Sequence, residues 1–345
     1  AYSIMMDTND NMILAGSVWG DVDLNWDADS SDSGESGAGF GSSDIIVVKY
    51  DAAVDMQWAV RLGGSNGDQA ENLVIDESDN ILITGGVAGD ADLNGDGDTN
   101  DEGETPAACH GRNDIFIAKL NVLGEVQWAK RLGSTDYDEG LGLAVNTGGD
   151  VFVTGDIGGD RLEYVDADLN GDGDTDDSEE TVTAEDCYRV ADIFIVKFDA
   201  GGNFQWAERL GGIYFDVAFD VAANNSGDIF VTGFICAEAE ANGQADLNGD
   251  GDTNDSAETV SGCYGDSDVF VVKFNTNGGF QWAQRYGGSK SDGGYAVTTD
   301  DGNKIFVAGT VKGDADLNGD GDASDTGESG AGFDGSDIFI SVIND

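Results

Sequence analysis

The chain of 345 residues has one proline, one histidine, four cysteines and only 15 basic residues. Each shortage excludes something. Against 69 acidic residues those 15 leave a formal net charge of −54, which makes nucleic acid and anionic membrane surfaces poor partners. The single histidine, His110, sits between Cys109 and Gly111. No imidazole therefore recurs to hold zinc, and no nucleophile has a base at recognisable spacing, so the sequence reads as non-enzymatic. No apolar run is long enough for a transmembrane helix, and no signal peptide or lipid motif is present. Helical periodicity is almost absent.

Oxygen ligands at alternate positions are abundant instead. The loop Asp92-Leu-Asn94-Gly-Asp96-Gly-Asp98 recurs as Asp23, Asn25, Asp27, Asp29, as Asp168, Asn170, Asp172, Asp174, as Asp246, Asn248, Asp250, Asp252 and as Asp316, Asn318, Asp320, Asp322. A Glu stands at position 13 of every copy: Glu35, Glu104, Glu180, Glu258 and Glu328. The copies start 69, 76, 78 and 70 residues apart and hold 28 of the 69 acids. This is the spacing by which a short loop wraps a hard cation. Ca²⁺ is favoured over Mg²⁺, because a flexible cage of many carboxylates suits the larger ion. The loop resembles those of EF-hands and dockerins, which implies calcium at about one ion per repeat. It departs from the EF-hand in placing the last Glu at position 13 rather than 12, and the flanks do not read as helices. Asp21, Asp90, Asp166 and Asp314, two residues ahead, offer a further ligand; the fourth copy has Gln244 there.

Around each loop the chain repeats short apolar, β-branched and aromatic runs. In the second repeat these are Leu73–Asp76, Asn80–Gly85, Asp114–Leu120 and Val126–Gly133. They have strand length and are joined by Gly/Asn/Asp turns of the kind that link antiparallel neighbours. Four strands per repeat predict an all-β, five-bladed β-propeller with four-stranded blades. The repeats fall at about residues 1–69, 70–139, 140–216, 217–293 and 294–345 of a single domain, with the acidic insert between the second and third strands. The last blade lacks its outer strand within this chain. Trp58, Trp128, Trp206 and Trp282 recur at one position and read as packing between blades. Arg61, Arg131, Arg209 and Arg285 follow three residues later, and such sparse cations are expected to pair with carboxylates. Asp44, Asp114, Asp192, Asp268 and Asp337 open the third strands, either to contact the loop and its metal or to start the strand.

Phrases such as Asp192-Ile-Phe-Ile-Val-Lys-Phe198, Gln205-Trp-Ala207 and Gly227-Asp-Ile-Phe-Val-Thr-Gly233 resemble the bacterial β-propeller repeat family often called SBBP. The resemblance covers nearly the whole chain and implies a secreted or surface-exposed propeller. It says little about activity, since propellers serve as enzymes, binders and scaffolds.

Cys236 and Cys263 bracket the fourth insert and are expected to pair; Cys109 and Cys187 are a second, less favoured pair. An extracellular or cell-surface setting is consistent with both. The third strand of repeat five, around Ile338 to Ile343, presents an edge that invites another strand, supplied by residues upstream of Ala1, by a longer array of which this chain is a fragment, or by a neighbouring subunit. These features point to a secreted, calcium-binding propeller with a structural or assembly role: a subunit of a filament, sheath, surface layer or adhesin, joined by strand complementation to itself or to cell-surface components. The alternative is a carbohydrate- or protein-binding module using the loop face or aromatics such as Trp19, Trp26 and Tyr264. A polysaccharide-active enzyme is a third class.

Overall fold

The computed structural model describes residues 1–31, 41–99, 101, 104, 111–158, 166–175, 191–212, 214–236, 245–250, 266–288, 290–300, 302–317 and 335–344. Among them there is no helix. The strands form five antiparallel sheets, one per repeat. The first sheet runs Ser3–Met6, Met12–Val18, Asp44–Tyr50, Met56–Gly64 and then Ala91–Asp92. The second runs Gln69–Ile75, Ile81–Val87, Asp114–Leu120, Val126–Leu132, and the third Asp138–Val145, Val151–Gly158, Ala191–Phe198, Phe204–Leu210. The fourth runs Val217–Ala223, Ile229–Cys236, Ser267–Phe274, Phe280–Gly288 and then Ala315–Asp316. The fifth holds Gly293–Thr299, Lys304–Lys312 and Ser336–Asn344. The strands and the inserts between second and third strands lie where the sequence predicts them; the short Ala-Asp strands that two loops lend to a preceding sheet are additional.

The chain divides into two compact units, one of Ala1–Val151, Asp166–Glu180 and Phe198–Phe204, the other of Phe152–Val165, Thr181–Lys197 and Gln205–Asp345. In the first unit Ile45, Val47 and Leu62 of sheet one meet Ala70, Leu73, Ile81 and Ile83 of sheet two in one apolar cluster. In the second, Val269, Val271 and Tyr286 of sheet four meet Val297, Ile305 and Val307 of sheet five. The third strand of repeats one to four is buried along its whole length. That explains its unbroken β-branched and aromatic runs: a strand covered on both faces has no reason to alternate. The Gln-Trp-Ala strands are covered less completely, and the Gln of each is exposed.

Turns follow from side-chain chemistry. Asp76 Oδ1 accepts the N–H groups of Ser78 and Asn80, both at 2.9 Å, and Asn121 Oδ1 does the same for Leu123 and Glu125 at 2.9 and 3.0 Å. Such Asx turns satisfy the backbone that a hairpin leaves open. The third-strand lysines neutralise the turn acids: Lys49 lies 2.8 Å from Asp7, Lys119 3.0 Å from Asp76 and Lys273 3.0 Å from Asp228.

Candidate functional site

The acidic loops rest on a junction that the sequence reading passed over. Seven residues after each recurring arginine comes an aspartate: Asp68, Asp138, Asp216 and Asp292. All four are buried. Their N–H groups donate to a main-chain oxygen at the start of the preceding repeat's third strand, on Ser43, Asn113, Ala191 and Ser267. One carboxylate oxygen accepts an N–H just beyond the previous fourth strand's arginine, from Gly64, Ser134, Gly212 and Gly288 at 2.6–2.8 Å. In three copies the other oxygen accepts an N–H at the end of the second strand, from Ala88, Cys236 and Lys312 at 2.6–2.8 Å. One side chain thereby ties strands of two repeats together.

Beside it lies the arginine's own partner. Arg61 reaches Asp44 at 2.6 Å, Arg209 reaches Asp192 at 2.6 Å and Arg285 reaches Asp268 at 2.9 Å. Arg131 Nε donates to Asp114 Oδ2 at 2.9 Å. The third-strand aspartates stand at or next to the start of the strand, one of the two roles left open for them, and four of them also pair with an arginine. The arginines also clasp the base of the inserts: Arg61 donates to the carbonyl of Gly20 at 2.8 Å and Arg131 to that of Gly89 at 2.6 Å. The Oδ1 atoms of Asp44, Asp192 and Asp268 are buried without a hydrogen-bond partner. Desolvation pushes Asp192 and Asp268 up to about 7 despite their arginines. Complete burial holds Asp216 well above the ordinary carboxylate range, and the neighbouring Asp192 charge adds to this.

These shifts have a sign. A carboxylate raised in the folded state binds its proton more readily there, so the folded form is favoured below the crossing and loses ground as pH rises from about 3.8 through 7. Asp76 acts oppositely: burial raises it, but hydrogen bonds from Asn80 and Lys119 outweigh that and hold it low. Its contribution is lost only as pH falls below about its ordinary 3.8. In EDTA the protein is therefore expected to need more urea to unfold at pH 5 than at pH 8. A higher midpoint at pH 8 would show that the junction carboxylates are not proton acceptors in this range.

The loops dock on the junction by main chain. Ala91 and Asp92 pair with Gly64 and Gly63, and Ala315 and Asp316 pair with Gly288 and Gly287. Asp168 bridges to Gly133 and Asp246 to Gly211. The first loop residue is buried in these four copies. Its carboxylate then gathers the turn. Asp92 accepts the N–H groups of Gly95 and Gly97 at 2.5 and 2.8 Å, and Asp168 those of Gly171 and Gly173 at 2.5 and 2.8 Å. Asp23 takes Trp26 and Ala28 at 2.6 and 3.1 Å, and Asp246 takes Asn248 and Gly249 at 3.1 and 2.6 Å. Positions 3 and 5 repeat the motif: Asn25, Asn94, Asn170 and Asn248 accept the N–H two residues on, as do Asp27, Asp96 and Asp172. Asp29 accepts from Ser31, which lowers its pKa. Glu104 folds back so that its carboxylate accepts Leu93, Asn94 and Asp101 N–H groups at 3.1–3.3 Å, and desolvation raises it. The position-13 glutamate of the second copy therefore does reach the loop's start.

Among the described residues no three Asp, Glu, His or Cys side chains stand together as a metal-ligand set. The donors are nonetheless all oxygen, as a hard cation requires. Asp98 and Asp174 are described, while Glu35, Glu180, Asp252, Glu258, Asn318, Asp320, Asp322 and Glu328 lie outside the described residues, as do His110, Tyr264, Cys109, Cys187 and Cys263. Cys236 is half-buried at the end of its strand.

Loop one differs from its siblings where they use glycine. Gly95 and Gly97 have φ of 77° and 93°; Trp26 and Ala28 adopt 62° and 75°. A left-handed L-residue costs about 1–2 kcal/mol, partly offset by the entropy that glycine loses on folding. Ala28→Gly is expected to stabilise by about 0.5–1 kcal/mol, read as a higher denaturation midpoint. Trp26 stacks on Tyr50 with centroids 6.1 Å apart, so its exposure belongs to loop packing. Trp19 is also exposed.

The recurring tryptophans lock neighbouring repeats, as their spacing predicts. Trp58 Nε1 donates to Val122 O, Trp128 to Ala200 O and Trp206 to Thr276 O at 3.2–3.3 Å. Each indole covers a turn glycine: a Cβ on Gly202 would stand 2.7 Å from the Trp128 ring. Trp282 packs on Phe230 with centroids 6.2 Å apart.

No protein-family model matches the chain. Regulatory protein FlaEY of Caulobacter vibrioides is 29% identical over 166 residues, covering 48% of this chain and 16% of that protein. An uncharacterized WD repeat-containing protein of Acanthamoeba polyphaga mimivirus is 24% identical over 344 residues, covering 89% of this chain and 24% of that protein. The chain thus spans no more than a quarter of the length of either relative. A crystal structure of a member of the duf4221 family from Bacteroides vulgatus covers 99% of both chains at 8% identity, and its TM-score of 0.22 carries no argument. The sheets and the WD-repeat relative together establish an all-β repeat protein.

Proposed function

We propose that the chain is a five-bladed, SBBP-type β-propeller whose inserts bind calcium, and that it serves outside the cell as a non-catalytic structural subunit. The observation that carries the reading is the all-oxygen loop, anchored through its first residue to the preceding fourth strand at four junctions. In loop two the ion would be held by Asp92, Asn94, Asp96, Asp98 and Glu104, and in the other loops by the matching residues. Calcium would neutralise carboxylates that repel one another and stiffen the inserts. Because only the folded loop binds the ion well, each site at 100-fold excess over its Kd adds about 2.7 kcal/mol. Chelation is therefore expected to lower the melting temperature by many degrees, with elemental analysis finding about one calcium per repeat. An unchanged melt in EDTA together with no bound calcium would overturn the reading.

The assembly role belongs to the same proposal and is tested at Ser336–Asn344, an edge strand of the fifth sheet among the described residues. A strand like Asn203–Leu210 from a neighbouring subunit would pair there. Electron microscopy is expected to show polymers that a synthetic peptide of that sequence caps; monodisperse particles indifferent to the peptide would remove the assembly role and leave the calcium reading intact.

A further inference from the structure

Seven Asn-Gly steps run through the chain, and five of them, at Asn66, Asn94, Asn170, Asn248 and Asn277, are among the described residues. Each is open to one reaction: the backbone nitrogen of the glycine attacks the asparagine side-chain carbonyl, with no Cβ to crowd the approach. Its rate depends on the freedom of that nitrogen and of the amide beside it. Four of the five are restrained. The N–H groups of Gly95, Gly171 and Gly249 donate to the first aspartate of their loops at 2.5–2.6 Å. The side-chain oxygens of Asn94, Asn170 and Asn248 accept the N–H two residues on at 2.7–2.8 Å. The Gly278 N–H donates to the carbonyl of Asn275 at 3.0 Å.

Asn66 and Gly67 differ on each count. Both are exposed, in the connection from the fourth strand of repeat one to the first strand of repeat two. The bridge to Ser43 passes Gly67 by: Asp68 N–H donates to Ser43 O at 2.8 Å and Ser42 N–H to Asn66 O at 3.2 Å, and the Gly67 N–H has no hydrogen-bond partner among the described residues. One bond of 3.3 Å, from Nδ2 to the carbonyl of Ala88, ties the Asn66 side chain. Other junctions carry Asp136-Tyr137, Tyr214-Phe215 and Lys290-Ser291 here, so the frame does not require this pair. We propose that Asn66 is a site of spontaneous deamidation to isoaspartate. The Gly67 nitrogen bonds to Asn66 Cγ and gives up its proton; the Cγ–Nδ2 bond breaks and ammonia leaves with that proton. Water then opens the cyclic imide at either carbonyl, giving aspartate or isoaspartate. Isoaspartate inserts a methylene into the main chain two residues ahead of Asp68, which is buried and holds Ser43, Gly64 and Ala88 together. The modification therefore loosens the junction of repeats one and two.

The test incubates the full chain at neutral pH and 37 °C, folded or in concentrated urea, digests it at low pH and maps the peptides by mass spectrometry with electron-transfer fragmentation, which tells isoaspartate from aspartate. In the folded protein Asn66 is expected to convert about 3- to 10-fold faster than Asn94, Asn170, Asn248 and Asn277, the factor that an ordinary hydrogen bond on the nucleophile is worth. In urea the five rates should converge. Gly67→Ala, whose Cβ would meet the Ser42 and Ser43 hydroxyl oxygens at 3.1 and 3.3 Å, should slow the folded protein's conversion about 10-fold or more. Protein carrying isoaspartate should unfold at lower urea than fresh protein, whereas Asn66→Asp, which adds the charge without the methylene, should not. Folded Asn66 reacting no faster than the loop asparagines would overturn the site, and an unchanged midpoint in the isoaspartate fraction would overturn the loosening.

Discussion

Arg131→Met is expected to cost about 3–5 kcal/mol of stability, a large share of the roughly 5–15 kcal/mol that holds a domain folded. Arg131 is 2% exposed and its partner Asp114 0%. Besides the ion pair, its Nη1 donates to the carbonyls of Gly89 and Glu104 at 2.6 and 3.3 Å. Removing it strands a carboxylate in the interior and unfastens both ends of the second loop at once. The control is Arg131→Met with Asp114→Leu. Deleting both charges of a buried pair is often close to neutral, so the double variant should recover most of the loss, short of the hydrogen bond that Asp114 accepts from Gly111 at 3.1 Å. Urea denaturation followed by far-ultraviolet circular dichroism measures all three. A single-variant cost below about 1 kcal/mol would place this pair with solvated surface bridges.

Asp216→Ala is the second large effect. It takes this acceptor from the buried N–H of Gly212 and the half-buried N–H of Cys236, now at 2.6 and 2.8 Å from the carboxylate. At about 1–3 kcal/mol each, the loss is roughly 2–6 kcal/mol. Asp216→Asn separates hydrogen bonding from charge. Its carbonyl oxygen still accepts one N–H, and it carries no charge to desolvate, so it should cost less than half as much. It should also flatten the stability difference between pH 5 and pH 8. If alanine and asparagine cost the same, the carboxylate is held for its shape and not for the two donors.

The repeat, the strands and the inserts were all legible in the sequence, for the same reason. Each is a local pattern: β-branched runs such as Asp114–Leu120, Asx turns at Asp76 and Asn121, alternate oxygens from Asp92 to Asp98. The indole of Trp128 was legible because its recurrence marked a packing position. The junction was not. Asp68, Asp138, Asp216 and Asp292 stand among 69 acids, and in so acidic a chain one more aspartate carries no contrast. The fixed interval of seven from each arginine was the available signal, visible once the arginines are aligned. Nor could spacing reveal the ion pairs of Asp44 and its counterparts, because an arginine partner shows only in the direction of the side chain, and spacing offered only a metal contact or a strand start.

The forward reach of each indole has a consequence for how such a chain can change. Trp58, Trp128 and Trp206 address only the next module's turn, through a carbonyl and a bare glycine that any module of this kind supplies. Duplication or excision of whole modules would leave every surviving handshake chemically unaltered. Length can therefore drift in steps of one module without redesign, whereas a partial module would leave an indole with nothing to cover.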